Sequence, residues 1–254
     1  MAVLVFFHAH PDDESIFTGG TMALLARNGH RVVLVVATSG ELGSAGAHDD
    51  LARVRRRETE RSAAILGIDR VEFLGYRDSG MAGDPGNDHV DSFVRTDRDQ
   101  AVWRLASLLI DEHADALVTY DSQGVYGHPD HLVTHRVGLA AAELAGTPTI
   151  YECTVDGEYL HFVESHLLDG ARHPDQPVAL LGSPTVVISN FVDVSEELDR
   201  KREAIAAHAS QIAETSAVLT MDACSFAAVY GYEWFIRTGP EGAIDALGRS
   251  LTAL

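Results

Sequence analysis

Residues 3–7 form an unbroken apolar run, and residues 31–37 form a second, almost entirely of valine and leucine. Uninterrupted β-prone runs of this kind suit strands covered on both faces. Between them Ile16, Phe17, Met22, Leu24 and Leu25 recur at helical spacing over residues 14–28, and Gly29 is suited to the C-terminal cap. Residues 49–66 read as a charged amphipathic helix closed by Gly67, and residues 71–75 as a short third strand. The pattern then predicts a helix over 97–113, a strand over 116–120, a helix over 130–145 and a strand over 147–155. Residues 38–48, 77–97 and 121–130 read as loops; the middle one is long and rich in Gly, Asp, Pro and Asn, and a loop of that length usually serves function. Further on, residues 184–194 are β-rich, and residues 195–212 read as a helix with Ser195 as its N-cap. From Met221 onward aromatics and glycines mix, with no period that places an element.

Strands alternate with helices through residue 155, which predicts an α/β fold built from right-handed βαβ units around a mostly parallel sheet. No repeat, low-complexity tract or linker interrupts the chain. We therefore expect one domain over 1–254, with 1–155 as core and 156–254 as a C-terminal extension shaping the substrate pocket. The 254 residues are 46% hydrophobic and 22% charged, a globular composition. Nineteen basic against 38 acidic residues give a net charge of −19, which argues against nucleic acid as a partner. Two cysteines, Cys153 and Cys224, make no disulfide framework. The first apolar run is too short for a signal segment or a membrane span, so a cytoplasmic protein is expected. The sequence is silent on homo-oligomer formation.

In an open α/β sheet, ligands bind outside the carboxyl ends of the strands. Two polar clusters fall there: His8-Ala9-His10-Pro11-Asp12-Asp13-Glu14 after the first strand, and Tyr126-Gly127-His128-Pro129-Asp130-His131 after the strand over 116–120. Each taken alone has an ordinary explanation. Paired acids after a strand commonly cap a helix and complement its dipole, and Pro11 and Pro129 suit helix entry. Two such clusters brought to one sheet edge point to a site. Imidazole and carboxylate together suit Zn²⁺ or a neighbouring first-row metal. His10, Asp13 and His131 supply three ligands and leave a fourth position open, as in a catalytic rather than a structural zinc site. Asp12 is then free to serve as general base, His128 to donate a proton, with Asp130 raising its pKa if the two pair, and Tyr126 to bond a developing oxyanion. His8 is either structural or a support for the site, and His161, His166 and His173 read as surface residues.

These two motifs, in this order, resemble the zinc-dependent deacetylases of the LmbE-like (PIG-L) family. Thr38-Ser39-Gly40-Glu41, Arg55-Arg56-Arg57-Glu58, Tyr76-Arg77-Asp78-Ser79-Gly80-Met81 and His208-Ala209-Ser210-Gln211 agree as well, the later stretches with the branch acting in mycothiol metabolism. The resemblance implies a Rossmann-like sheet and one catalytic zinc. It also implies hydrolysis of the N-acetyl group of a glucosamine-type sugar conjugate, so a small N-acylated amino sugar is the expected partner. It carries His10, Asp13 and His131 over as metal ligands, Asp12 as base, His128 as acid or electrostatic stabiliser, Tyr126 as oxyanion contact, and Arg55, Asp78 and Glu41 as substrate-side residues. Arg55 lies in a basic run that would otherwise read as a solvated helix face, and Asp78 precedes a turn-forming Ser-Gly pair.

Two readings stand nearby. The same chemistry would serve an amidase of mycothiol-type conjugates, or a deacetylase of a secondary-metabolite amino sugar. From another class, an acidic pair after the first strand also suits a Mg²⁺-binding phosphoacceptor module, but the sheet region contains no lysine. A dinucleotide site is disfavoured because the first turn is not glycine-rich.

Overall fold

The computed structural model describes residues 1–43, 50–166, 182–212 and 216–250. The first strand β1 (Val3–His8) leads into helices α1 (Asp13–Phe17) and α2 (Gly19–Arg27), followed by β2 (Arg31–Thr38), α3 (Leu51–Leu66) and β3 (Arg70–Tyr76). Helix α4 (Arg98–Glu112), strand β4 (Ala116–Tyr120), the short turn α5 (Gly124–Gly127), α6 (Pro129–Ala145) and β5 (Thr149–Thr154) complete the expected alternation. The remainder comprises α7 (Gly157–His166), β6 (Asn190–Asp193), α8 (Leu198–Ala207), α9 (Ala217–Thr220), α10 (Ala223–Tyr230), β7 (Tyr232–Thr238), α11 (Ala243–Leu247) and β8 (Arg249–Ser250).

One sheet runs through the described residues in the order β3-β2-β1-β4-β5-β7-β6-β8. The five strands from β3 to β5 are parallel, and β7, β6 and β8 continue the same sheet in antiparallel pairing. The apolar runs are buried because the pleat divides them between two cores. Leu4, Phe6, Val32, Leu34 and Val36 face one, packed with Met22, Leu25 and Leu66. Val5, Phe7, Val33, Val35 and Ala37 face the other, packed with Leu105, Leu109 and Val137. Order along the sheet reverses at β1, with β2 on one side and β4 on the other, so the carboxyl ends of β1 and β4 flank a crevice.

Three elements differ from the pattern-based expectation. The helix expected over 14–28 breaks at Thr18, whose backbone leaves helical geometry at φ −138°. Thr18 Oγ1 lies 2.8 Å from His8 Nε2, and the Gly20 and Thr21 N–H groups, orphaned at the start of α2, each donate to the Glu233 carboxylate at 2.8 Å. A residue more than 200 positions away thus fixes the break. The helix expected over 195–212 begins as a 3₁₀ turn (Ser195–Glu197), becomes α-helical only at Leu198, and stops at His208. Ser195 caps nothing: its N–H donates to Asp193 Oδ1 at 3.0 Å. In the β-rich stretch 184–194, Thr185–Val187 is a 3₁₀ turn and only Asn190–Asp193 pairs as a strand. The unplaced tail supplies β7, the strand that joins β5 to the rest of the antiparallel half. Residues 44–48 of the first expected loop, and Asp49 at the expected start of α3, lie outside the described residues. Asp50 caps α3 by accepting from Arg53 N at 3.3 Å, and Gly67 closes it at φ +81°.

The long loop over 77–97 is ordered by two 3₁₀ turns, a bridge between Arg77 and Ser92, and fully buried Phe93 stacked on Tyr76 at 5.0 Å. This packing brings Asp78 and Ser79 to the crevice.

Candidate active site

The two sequence clusters meet. His10 lies just beyond β1, and its ring centroid is 4.5 Å from that of His128 and 5.3 Å from that of His131. The three imidazoles each bring a ring nitrogen within 4.8 Å of the others, and His10, Asp78 and Asp130 form a second group of the same kind. Asp13 Oδ2 lies 3.3 Å from His10 Nδ1 and 3.4 Å from His131 Nε2. That oxygen also accepts from His10 N at 2.8 Å and from the Tyr120 hydroxyl at 2.7 Å, so backbone and strand end both fix the carboxylate.

The donor set suits a divalent metal. His131 Nδ1 lies 3.1 Å from the Gly124 carbonyl, which accepts its proton and leaves Nε2 as a bare lone pair. That Nε2 is buried without a hydrogen-bond partner, a costly arrangement in a protein interior unless it serves a ligand. Its ring is held by parallel stacking on Tyr120, with centroids 4.0 Å apart. His10 presents Nδ1 toward Asp13, while its Nε2 lies 3.2 Å from Asp130 Oδ2 and 3.7 Å from Asp78 Oδ1. A carboxylate behind an imidazole in this way orients a ligating ring and raises its basicity. Burial works against a charged His10, but Asp13, Asp130 and Asp78 outweigh it and raise its pKa well above the ordinary value. Burial likewise opposes ionisation of Asp13 and Asp78. The facing imidazoles win, His131 and His10 for Asp13 and His10 for Asp78, and both carboxyls stay well below the usual range. Carboxylates that favour positive charge at His10, gathered around the unpartnered His131 Nε2, are the chemistry of a cation site.

Asp12 precedes α1 with φ +107° and ψ −31°, a conformation that L-residues rarely adopt and that marks functional sites. Burial pushes its pKa up to about 7, Arg55 opposing this and Asp13 adding to it. Arg55 is buried rather than part of a solvated face. It donates to the carbonyls of Gly40, at 2.6 Å, and Pro11, and its Nη2 lies 3.2 Å from Asp12 Oδ2. Arg56, next to it, is exposed, as the basic-run reading expects.

His128 is both a site residue and the N-cap of α6, its Nδ1 accepting from Asp130 N at 3.2 Å. Pro129 at the first helical position completes this entry. Burial, then the imidazoles of His10 and His131, lower the His128 pKa to about 4. The expected pairing with Asp130 is therefore corrected. The Asp130 carboxylate turns to His10 and to Ser79 N, at 3.0 Å, and only its backbone N–H meets His128. A neutral ring with Nδ1 accepting carries its proton on Nε2. Tyr126 is partly exposed, its ring edge-on to His131 at 4.9 Å and stacked with Phe17 at 6.5 Å, and burial raises its phenol pKa so that it stays a donor. Asp78 Oδ1 accepts from Gly80 N at 2.8 Å, and Glu41 Oε1 accepts from Asp78 N at 3.2 Å. His8 is fully buried between Tyr120 and Thr18, a support for the site rather than part of its surface. His161 is exposed, whereas the side chain of His166 and all of His173 lie outside the described residues.

The motif reading missed Tyr120, which bonds Asp13 and stacks on His131. A polar residue at the carboxyl end of an apolar strand was the available signal. It also missed Phe17, Ser79 and the Gly124 carbonyl, and contacts through backbone atoms leave no residue-type signature.

The sequence profile of the family described as PIG-L, GlcNAc-PI de-N-acetylase, matches residues 5–142. A 1D-myo-inositol 2-acetamido-2-deoxy-alpha-D-glucopyranoside deacetylase of Thermomonospora curvata is 34% identical over 283 residues, covering 97% of this chain and 94% of the relative. The protein of that name from Thermobifida fusca is 33% identical over 274 residues, covering 94% and 96%. Among solved structures, the N,N'-diacetylchitobiose deacetylase of Pyrococcus horikoshii superposes with a TM-score of 0.63 at 22% identity, covering 94% of this chain and 84% of that one, and so shares the fold.

Proposed function

Because the chain belongs to the PIG-L family of de-N-acetylases, we infer that it hydrolyses the acetamide of an N-acetylglucosamine-type conjugate to acetate and a free amine. The observation that carries this reading is the meeting of His10, Asp13 and His131 around a buried, unpartnered imidazole nitrogen. Those three residues would hold the metal, which we propose to be zinc. When bound, it supplies Lewis acidity that polarises an amide carbonyl and makes water a better nucleophile at neutral pH.

Asp12, poised near neutrality, accepts the proton of the attacking water. As the carbonyl carbon becomes tetrahedral, His128 Nε2–H and the Tyr126 hydroxyl donate to the growing negative charge on oxygen. Neither donor needs to be cationic, since preorganised dipoles suffice for oxyanion stabilisation. Collapse breaks the C–N bond, and the proton held by Asp12 passes to the departing nitrogen. His128 therefore serves as a neutral hydrogen-bond donor. Arg55 and Asp78 bind the sugar side, with Glu41 holding the Asp78 backbone. The names of the two relatives favour a glucosaminyl-inositol substrate over a larger acyl conjugate.

Incubation with 2-acetamido-2-deoxy-α-D-glucopyranosyl inositol should yield acetate and primary amine in equal amounts. A chelator should abolish release, and added Zn²⁺ should restore it. No acetate from this or related N-acetylglucosaminides, or full turnover in chelator, contradicts the reading.

A further inference from the structure

The loop carrying Asp12 is tied to a part of the chain outside the family-matched residues 5–142. Glu14 is fully buried, and its two carboxylate oxygens have different tasks. Oε2 accepts from the backbone N–H of Asp12 at 3.0 Å. Oε1 lies 2.6 Å from Ser62 Oγ on α3 and 2.7 Å from His208 Nε2 at the end of α8. His208 is itself fully buried, and its Nδ1 has no partner, so the ring makes one side-chain hydrogen bond and spends it on Glu14. Its position is rigidly set. Lys201 on the same helix is buried against Glu233 at 2.6 Å, and just beyond His208 the Ser210 N–H and hydroxyl both bond Glu58, at 2.8 and 2.6 Å.

We propose that His208 is a positioning residue for the reaction: through Glu14 it clamps the Asp12 backbone and holds the base in its left-handed turn. This rests on the deacetylase reading, with Asp12 as base. A non-glycine residue at φ +107° persists only where its surroundings over-determine it, and the Glu14–Asp12 hydrogen bond is a local restraint on that peptide. Glu14 can make this bond in one place only if its other oxygen is anchored, and the anchor donors are Ser62 and His208. An apolar residue at 208 would fill space but would leave Ser62 as the one anchor donor, so the carboxylate would be held less firmly against Asp12.

The test is a cycle of four proteins, wild type, His208→Leu, Asp12→Asn and the double variant, with His208→Gln as the conservative replacement. On the N-acetylglucosaminyl inositol substrate, His208→Leu should lower kcat by about tenfold or more, with KM and bound metal unchanged. His208→Gln, whose amide N–H can still donate to Glu14, should recover most of that loss. In the Asp12→Asn background the His208→Leu change should have no further effect. An equal loss in both backgrounds, a change confined to KM, or no advantage of Gln over Leu overturns the proposal. Amide hydrogen exchange at Asp12 reads the clamp without catalysis, and also serves if the leucine variant folds poorly. Protection should fall in His208→Leu or His208→Asn relative to His208→Gln, and equal protection overturns it. If wild type releases no acetate while protection behaves as expected, the deacetylase reading fails and the clamp stands.

Discussion

Asp12 and Asp13 are neighbours of one chemical type with opposite environments. Asp13 faces two imidazoles and a phenol and is held ionised, whereas Asp12 is held up at about 7 with one guanidinium beside it. In the proposed reading the split matches metal binding by Asp13 and proton transfer by Asp12. Asp12→Ala should therefore keep its metal and lose roughly 10²–10⁴ in kcat, measured by acetate release alongside elemental analysis. Loss of the metal with the activity would show that the two roles are exchanged or shared. The identities of these residues were legible in the sequence because the chemistry needs unusual types at a strand end. Their protonation was not. Asp130 sits two residues from His128, yet its carboxylate reaches His10, 120 positions away, because helix entry turns the Asp130 side chain from the cap toward the crevice.

At the scale of elements, strands and helices whose periodicity is set by their own burial were readable. Those set by a distant partner were not. The two apolar runs declare β1 and β2, and Gly67 closes α3 as local chemistry predicts. The break between α1 and α2 depends instead on Glu233, and the end of α8 coincides with the capture of His208 by Glu14. Lys201, the chain's single lysine, joins the first of these centres, its ammonium held by Glu233 and by the Tyr230 carbonyl at 3.3 Å. Lys201→Met leaves that carboxylate buried with only the α2 N–H groups. It should cost about 3 kcal/mol, seen as a lower urea midpoint. A midpoint equal to wild type would show that the helix terminus alone satisfies Glu233.

For the whole molecule, the parallel half of the sheet supplies the crevice, and the antiparallel half supplies Glu233 to buttress α2. The α8 end, packed over the same region, adds His208 behind the Asp12 loop. The βαβ half was visible because each strand is followed by a helix long enough to show its period. The antiparallel half was not, since β6 and β8 are short and β7 mixes aromatic, aliphatic and charged residues without strict alternation in a tail full of turns. No helix among the described residues is long and apolar enough to cross a membrane. The charge of −19 is concentrated neither by a tail nor by a repeat, and within the crevice four aspartates, Asp12, Asp13, Asp78 and Asp130, lie around three imidazoles.

The central claim is that His10, Asp13 and His131 grip one catalytic cation. Elemental analysis after dialysis against trace metal tests it most directly, comparing wild type with His131→Ala and Asp13→Ala, each shown to be folded by circular dichroism. The account predicts about one equivalent of zinc, or of a neighbouring divalent metal, in wild type and a small fraction of that in either variant. Equal metal content in all three proteins, or none in a wild type that still releases acetate, would contradict it.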